Sequence, residues 1–89
     1  MITLDDILNV TCEVTGVDKE NIISRRRIDE VHQTARVVFC RVAAGKYTYD
    51  AIGRKINRRK QQVNHNIVNA GSGWFCDNAI REVRAKLKL

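Results

Sequence analysis

The chain has 89 residues, enough for one domain with its own core, and 44% of them are hydrophobic, which argues against disorder over most of its length. No apolar run approaches the roughly 20 residues of a membrane span, and the opening MITLDDILNV is acidic where a secretory signal is basic, so a cytoplasmic protein without a membrane partner is expected. Sixteen Lys and Arg against ten Asp and Glu give a formal charge of +6, an excess that suits an anionic partner.

In chain order, the pattern is helical and strand-like alternation is scarce. Thr3 is a candidate N-cap, with Asp5 and Asp6 in the first turn, where negative charge suits the helix dipole. Leu4, Ile7, Leu8, Val10 and Val14 give that helix an apolar side, and Gly16 offers a C-terminal stop. Asp18 is placed to cap a short second helix ending in Ile22 and Ile23. Ser24-Arg25-Arg26-Arg27 follows as a basic loop or helix start. A long third helix begins at Asp29, with Val31, Ala35, Val38 and Val42 at 4-3-4 spacing, Phe39 and Ala43 widening the stripe, and Gly45 closing it.

Thr48 is the expected N-cap of a fourth helix, with Ala51, Ile52 and Ile56 facing inward. Asn57-Arg58-Arg59 reads as a turn or a restart. Val63, Ile67 and Val68 define the buried side of a fifth helix, which ends before Gly71-Ser72-Gly73. A last helix within residues 74–89 carries Cys76, Ile80, Val83 and Leu87, and Trp74 and Phe75 are expected either to pack it on the core or to mark a dimer contact. Residues 1–89 therefore predict a single all-α domain, compact, with five or six short helices.

Charge is unevenly spread along this order. Residues 1–23 hold Asp5, Asp6, Glu13, Asp18 and Glu20 against a lone Lys19, whereas residues 54–60 hold Arg54, Lys55, Arg58, Arg59 and Lys60 with no acid. A clustered basic stripe is the electrostatic footprint of nucleic-acid binding. Here it falls on a short helix, a tight polar turn and a second helix, which is the pattern of a helix-turn-helix. The spacing turns Lys60, Gln61, Gln62, Asn64 and also Asn66 away from the core. Exposed amides and bases suit major-groove reading, since Gln and Asn pair bidentately with adenine and Arg or Lys reach guanine. No acid occurs between Ile52 and Gly73, which an ordinary solvated helix face would usually contain. Arg25, Arg26 and Arg27 fit a phosphate clamp, a plain surface run, or an arm entering the minor groove.

Other chemistry has little local support. Cys12, Cys40 and Cys76 form no CxxC pair and read as small core residues. His32 and His65 have no metal-ligand partner at suitable spacing along a shared helix. There is no phosphate-cradling glycine loop, and neither Ser24 nor Ser72 sits beside a recognisable base. Neither an enzyme nor a metal or other cofactor is expected.

The chain resembles the C-terminal DNA-binding domain of the bacterial replication initiator DnaA. The resemblance rests on Ile7-Leu8 in a first helix, Gly16-Val17, Ile22-Ile23-Ser24 before the basic run, and Thr48-Tyr49-Asp50-Ala51-Ile52-Gly53-Arg54. It is strongest over residues 4–70. It implies a Trp-repressor-like fold, a nucleoid-associated location, and an arginine of the basic loop in the minor groove, best matched by Arg27. The family's recognition run of Arg, Asp, His, Ser or Thr, Thr and Val falls on Arg58 to Val63, or starts one residue later, and His65 matches a downstream histidine. The Asp-His-Thr-Thr centre is replaced by basic and amide residues, so fold and docking mode transfer better than the target sequence. The family's ATPase module would precede this domain, and Met1 stands directly before the first helix, so a stand-alone relative, a regulator or an excised domain is expected.

These observations converge on sequence-specific duplex-DNA binding without ATPase activity of its own, in a replication-initiator-like or regulatory role. Arg58, Arg59, Lys60, Gln61 and Gln62 are expected in the major groove with Asn64 and His65 alongside, Arg27 in the minor groove, and Arg25, Arg26, Arg54 and Lys55 on phosphates. A homodimer or a larger replication or regulatory assembly is compatible with this. The alternatives are a helical protein-interaction module with a basic docking face, and a structured-RNA binder, against which the scarcity of aromatics argues.

Overall fold

The computed structural model describes residues 2–24, 30–68 and 74–89, which contain six helices and no strand. They are α1 (Leu4–Thr15), α2 (Lys19–Ile23), α3 (Glu30–Ala43), α4 (Tyr49–Lys55), α5 (Lys60–Val68) and α6 (Trp74–Leu87). The all-α architecture read from the sequence is the one observed.

Local chemistry sets several helix ends. At α1, the Thr3 hydroxyl accepts the Asp6 N–H at 3.1 Å while the Asp6 carboxylate accepts the Thr3 N–H at 2.9 Å. This reciprocal pair satisfies two donors that a helix start leaves open. Gly16 ends α1 in the left-handed region at φ 74, its N–H donating to the Cys12 carbonyl at 2.9 Å. Thr48 starts α4 by accepting the Ala51 N–H at 3.2 Å. Two expected signals act differently. Asp18 precedes α2, but its side chain makes no capping hydrogen bond. Helix α3 stops at Ala43, two residues before Gly45, where the N–H groups of Lys46 and Tyr47 both converge on the Ala43 carbonyl.

Helices α1, α3 and α6 pack on one another, and α5 docks on α3 with α4 beside it. Ile7 and Leu8 of α1, Ala35, Val38, Phe39, Val42 and Ala43 of α3, and Val83 of α6 form the buried centre. Ile52, Ile56 and Val63 extend that core under α4 and α5. Fully burying one such side chain is worth roughly 1.5–3 kcal/mol before ordering costs. The α3 stripe is shorter than its periodicity predicts, because Val31 is 47% exposed. Periodicity continues to the end of a helix whether or not a neighbour reaches that far. In α6, Cys76, Ala79 and Val83 are buried and Ile80 and Leu87 are half-buried, in keeping with the predicted register. The Tyr47 hydroxyl donates to the Ile2 carbonyl at 2.6 Å and ties the chain start to the end of α3. The expectations for Asp29, for Gly71-Ser72-Gly73 and for the Trp74 and Phe75 side chains lie outside what is described.

Candidate nucleic-acid interface

The α4–α5 unit is built by a close backbone approach. The Arg58 N–H donates to the Gly53 carbonyl at 2.7 Å, and Asn57 turns the chain through the left-handed region at φ 59. A β-carbon at Gly53 would overlap the Arg58 carbonyl oxygen and press on Val63 Cγ2 at 3.4 Å. Glycine is needed here for space, in the middle of a helix where it would otherwise be disfavoured. Around this turn lies an open hollow of about 660 Å³, lined by Gly53, Arg54, Asn57, Arg58, Arg59, Gln61 and Gln62.

Beyond the turn, α5 buries Val63 and Asn66, half-buries Ile67, and exposes Lys60, Gln61, Gln62, Asn64 and His65. Lys60, Gln61, Gln62 and Asn64 face outward as the spacing predicts. Two other positions are exchanged relative to expectation. Asn66 is fully buried, whereas Val68, expected in the core, is 63% exposed. Buried Asn66 is provided for: its Oδ1 accepts from Gln33 Nε2 at 3.1 Å and Gln62 Nε2 at 3.3 Å, and its Nδ2 donates to Cys40 Sγ at 3.7 Å. An amide is tolerated in a core on that condition. Gln61, His65 and Val68, spaced 4-3, share one exposed side of the helix.

The cations divide by their partners. Arg54 is exposed and pairs with Asp50 at 3.1 Å, an arrangement on a helix surface that contributes little and is readily exchanged. Lys55 is bound to the Asp5 carboxylate, which Lys19 also approaches at 3.8 Å. The Lys55 hydrogen bond, with smaller charge contributions from Lys55 and Lys19, holds the Asp5 carboxyl below its ordinary range. Arg59 and Lys60 are exposed and, among the described residues, join no ion pair. Arg25, Arg26 and Arg27 lie outside the described residues.

Arg58 departs from its expected role. Instead of projecting toward a groove, its guanidinium turns back and donates to the carbonyls of Ile23 at 3.4 Å, Asn57 at 3.1 Å and Ser24. Arg36, which the sequence reading passed over, meets it there. Only 2% exposed, it donates to the carbonyls of Ile22 at 2.9 Å, Asn21 at 2.8 Å and Ser24 at 3.1 Å. Burial, with Arg58 nearby, pushes the Arg36 guanidinium below its ordinary pKa. The two arginines thus supply donors to the four consecutive carbonyls from Asn21 to Ser24. A signal existed: α2 has five residues, with no glycine and no basic residue in its last turn, so its open carbonyls need donors from elsewhere in the fold.

Cys40 and Cys76 are buried as expected, while Cys12 is only half-buried. Burial pushes the Cys40 thiol up to about 11, which makes it a poor nucleophile. Among the described residues no group of His, Cys, Asp and Glu could hold a metal ion, and no helix is long and apolar enough to cross a membrane. No protein-family model, curated protein or solved structure matches the chain.

Proposed function

We propose that this protein binds duplex DNA at specific sequences, with α5 in the major groove. The observation that carries the reading is the exposed face of α5. Lys60, Gln61, Gln62, Asn64 and His65 stand together, next to Arg59 and Arg54, on a segment without one acid from Ala51 to Val68. Amides offer paired donors and acceptors to base edges, and cations supply the sequence-independent attraction to phosphates. The close approach of the turn to buried Gly53 supports the same reading, because base discrimination requires a helix held rigidly against its scaffold.

The exposed positions support one division of labour within this reading. Arg59, Lys60, Gln61 and Gln62 are the base-reading candidates, with Asn64 and His65 at the edges, and Arg54 is a phosphate contact. Arg58 serves the scaffold. The resemblance to the DnaA C-terminal domain supports this docking mode, with Arg27 in the minor groove and Arg25 and Arg26 on phosphates, and with a replication or regulatory role in a nucleoid-associated protein.

Selection of bound sequences from a random duplex library at about 150 mM salt, where nonspecific binding is suppressed, tests the proposal. An enriched motif is the expected result, its length and symmetry distinguishing a monomer from a dimer. A folded protein that enriches nothing would sink it and favour a basic face that docks an acidic protein.

A further inference from the structure

The amides around Asn66 form a chain whose direction is fixed at one end. Arg36 has only donors, so its Nη1 contact at 3.5 Å takes the Oε1 of Gln33 as acceptor. Gln33 must then turn its Nε2 toward Asn66, at 3.1 Å, and Asn66 must answer with Oδ1. That leaves the Asn66 Nδ2 for Cys40 Sγ at 3.7 Å. Gln62, one helical turn before Asn66, meets it at Oδ1, which can only accept, and so joins by donating from Nε2 at 3.3 Å. Asn66 is fully buried and cannot exchange these partners for water.

We infer that Asn66 is a positioning residue that holds the Gln62 carboxamide in one orientation, and that Gln62 thereby selects adenine at the base pair it meets. This rests on the proposed duplex-DNA reading. A free glutamine can present donor and acceptor to adenine, or turn both amide hydrogens toward the two acceptors of guanine. With one hydrogen committed to Asn66, the second presentation is lost. What remains outward is Oε1 and one hydrogen, which match the N6–H and N7 of adenine and set an acceptor against O6 of guanine. Discrimination is therefore written in α3, through Arg36 and Gln33, as well as on the helix surface.

The test compares random-duplex selections by the wild-type protein and by Gln62→Ala, Asn66→Leu and Gln33→Leu. The wild-type motif is expected to contain one adenine whose preference over guanine falls by roughly tenfold in all three variants, with the other positions of the motif unchanged. If Asn66→Leu fails to fold, the half-buried Gln33→Leu decides. In the free protein, the Gln62 side-chain amide protons are expected to exchange with solvent more slowly than those of Gln61. Loss of the adenine in Gln62→Ala with its retention in Gln33→Leu and Asn66→Leu would overturn the inference. So would a uniform loosening of the whole motif, or equal exchange rates for the two glutamines, and in each of these cases the DNA reading would stand. Absence of any motif from the wild-type selection would instead remove the DNA reading and this inference with it.

Discussion

Arg36 shows how much of this fold depends on one buried charge. It sits between Ala35 and Val37 on an otherwise apolar stretch, and its guanidinium spans three carbonyls of the α2 end. Hydrogen bonds from a charged donor contribute roughly 1.5–3 kcal/mol each, offset by the cost of taking the guanidinium out of water. Arg36→Met, which keeps the packing and removes the donors, is expected to destabilise the protein by about 2 kcal/mol, or roughly 10 °C in Tm for a domain of this size. Arg36→Lys should not restore it, because an ammonium lacks the planar fork that reaches several carbonyls together. Urea unfolding of the three proteins checks this; a Met variant as stable as wild type would show that water replaces the guanidinium without loss. Residue identity alone could not reveal the role, since an arginine among apolar residues also reads as an exposed interruption of the stripe. The exchange of Asn66 and Val68 has the same origin. Periodicity ranks residues by hydropathy, whereas partners from α3 decide which side chain of α5 can be buried.

Elements were more legible than residues, because caps act locally. Thr3, Gly16 and Thr48 mark ends that follow from hydroxyl or glycine chemistry within a few residues of sequence. The ends of α2 and α3 were less legible, as donors and neighbours distant in sequence settle them. The α4–α5 unit lies between these cases: its helices follow from Ile52, Ile56 and Val63, but its tightness follows from Gly53. On an open helix, Gly→Ala would gain up to about 1 kcal/mol. At Gly53 the added methyl meets backbone, the Arg58 carbonyl, which no rotamer change can clear. Gly53→Ala is therefore expected to reverse that sign and destabilise by roughly 1–3 kcal/mol, the usual range for overpacking. It should also displace α5 and weaken specific DNA binding more than nonspecific binding. A Gly53→Ala protein more stable than wild type would show that the turn yields and that this contact is not what sets the angle between the helices.

At the scale of the whole molecule, the acids of α1 and α2 and the cations of α4 and α5 are separate in sequence but meet at one point, where Asp5 binds Lys55 and approaches Lys19. A lysine held by a carboxylate is poorly placed to neutralise a phosphate, so under the proposed function Asp5 would restrain the surface offered to DNA. Asp5→Asn is expected to release Lys55 and tighten binding to all duplexes alike, leaving the preferred sequence unchanged. If Lys55 then meets one phosphate, the slope of log K against log salt should steepen by about 0.9. Anisotropy titrations between about 50 and 200 mM salt measure that slope. An unchanged slope would mean that Lys55 stays off the backbone with or without its partner. The same pair has a consequence for folding. The folded-state pKa of Asp5 lies below the ordinary 3.8, so its ionised form is favoured by folding. That contribution is fully present above pH 3.8 and is lost as the pH falls through the lowered value. Any stability difference between wild type and Asp5→Asn at neutral pH should accordingly vanish in that acid range. Because the Asp5 side chain is exposed, the effect on folding is screened, and the slope with salt is where the substitution should register most clearly.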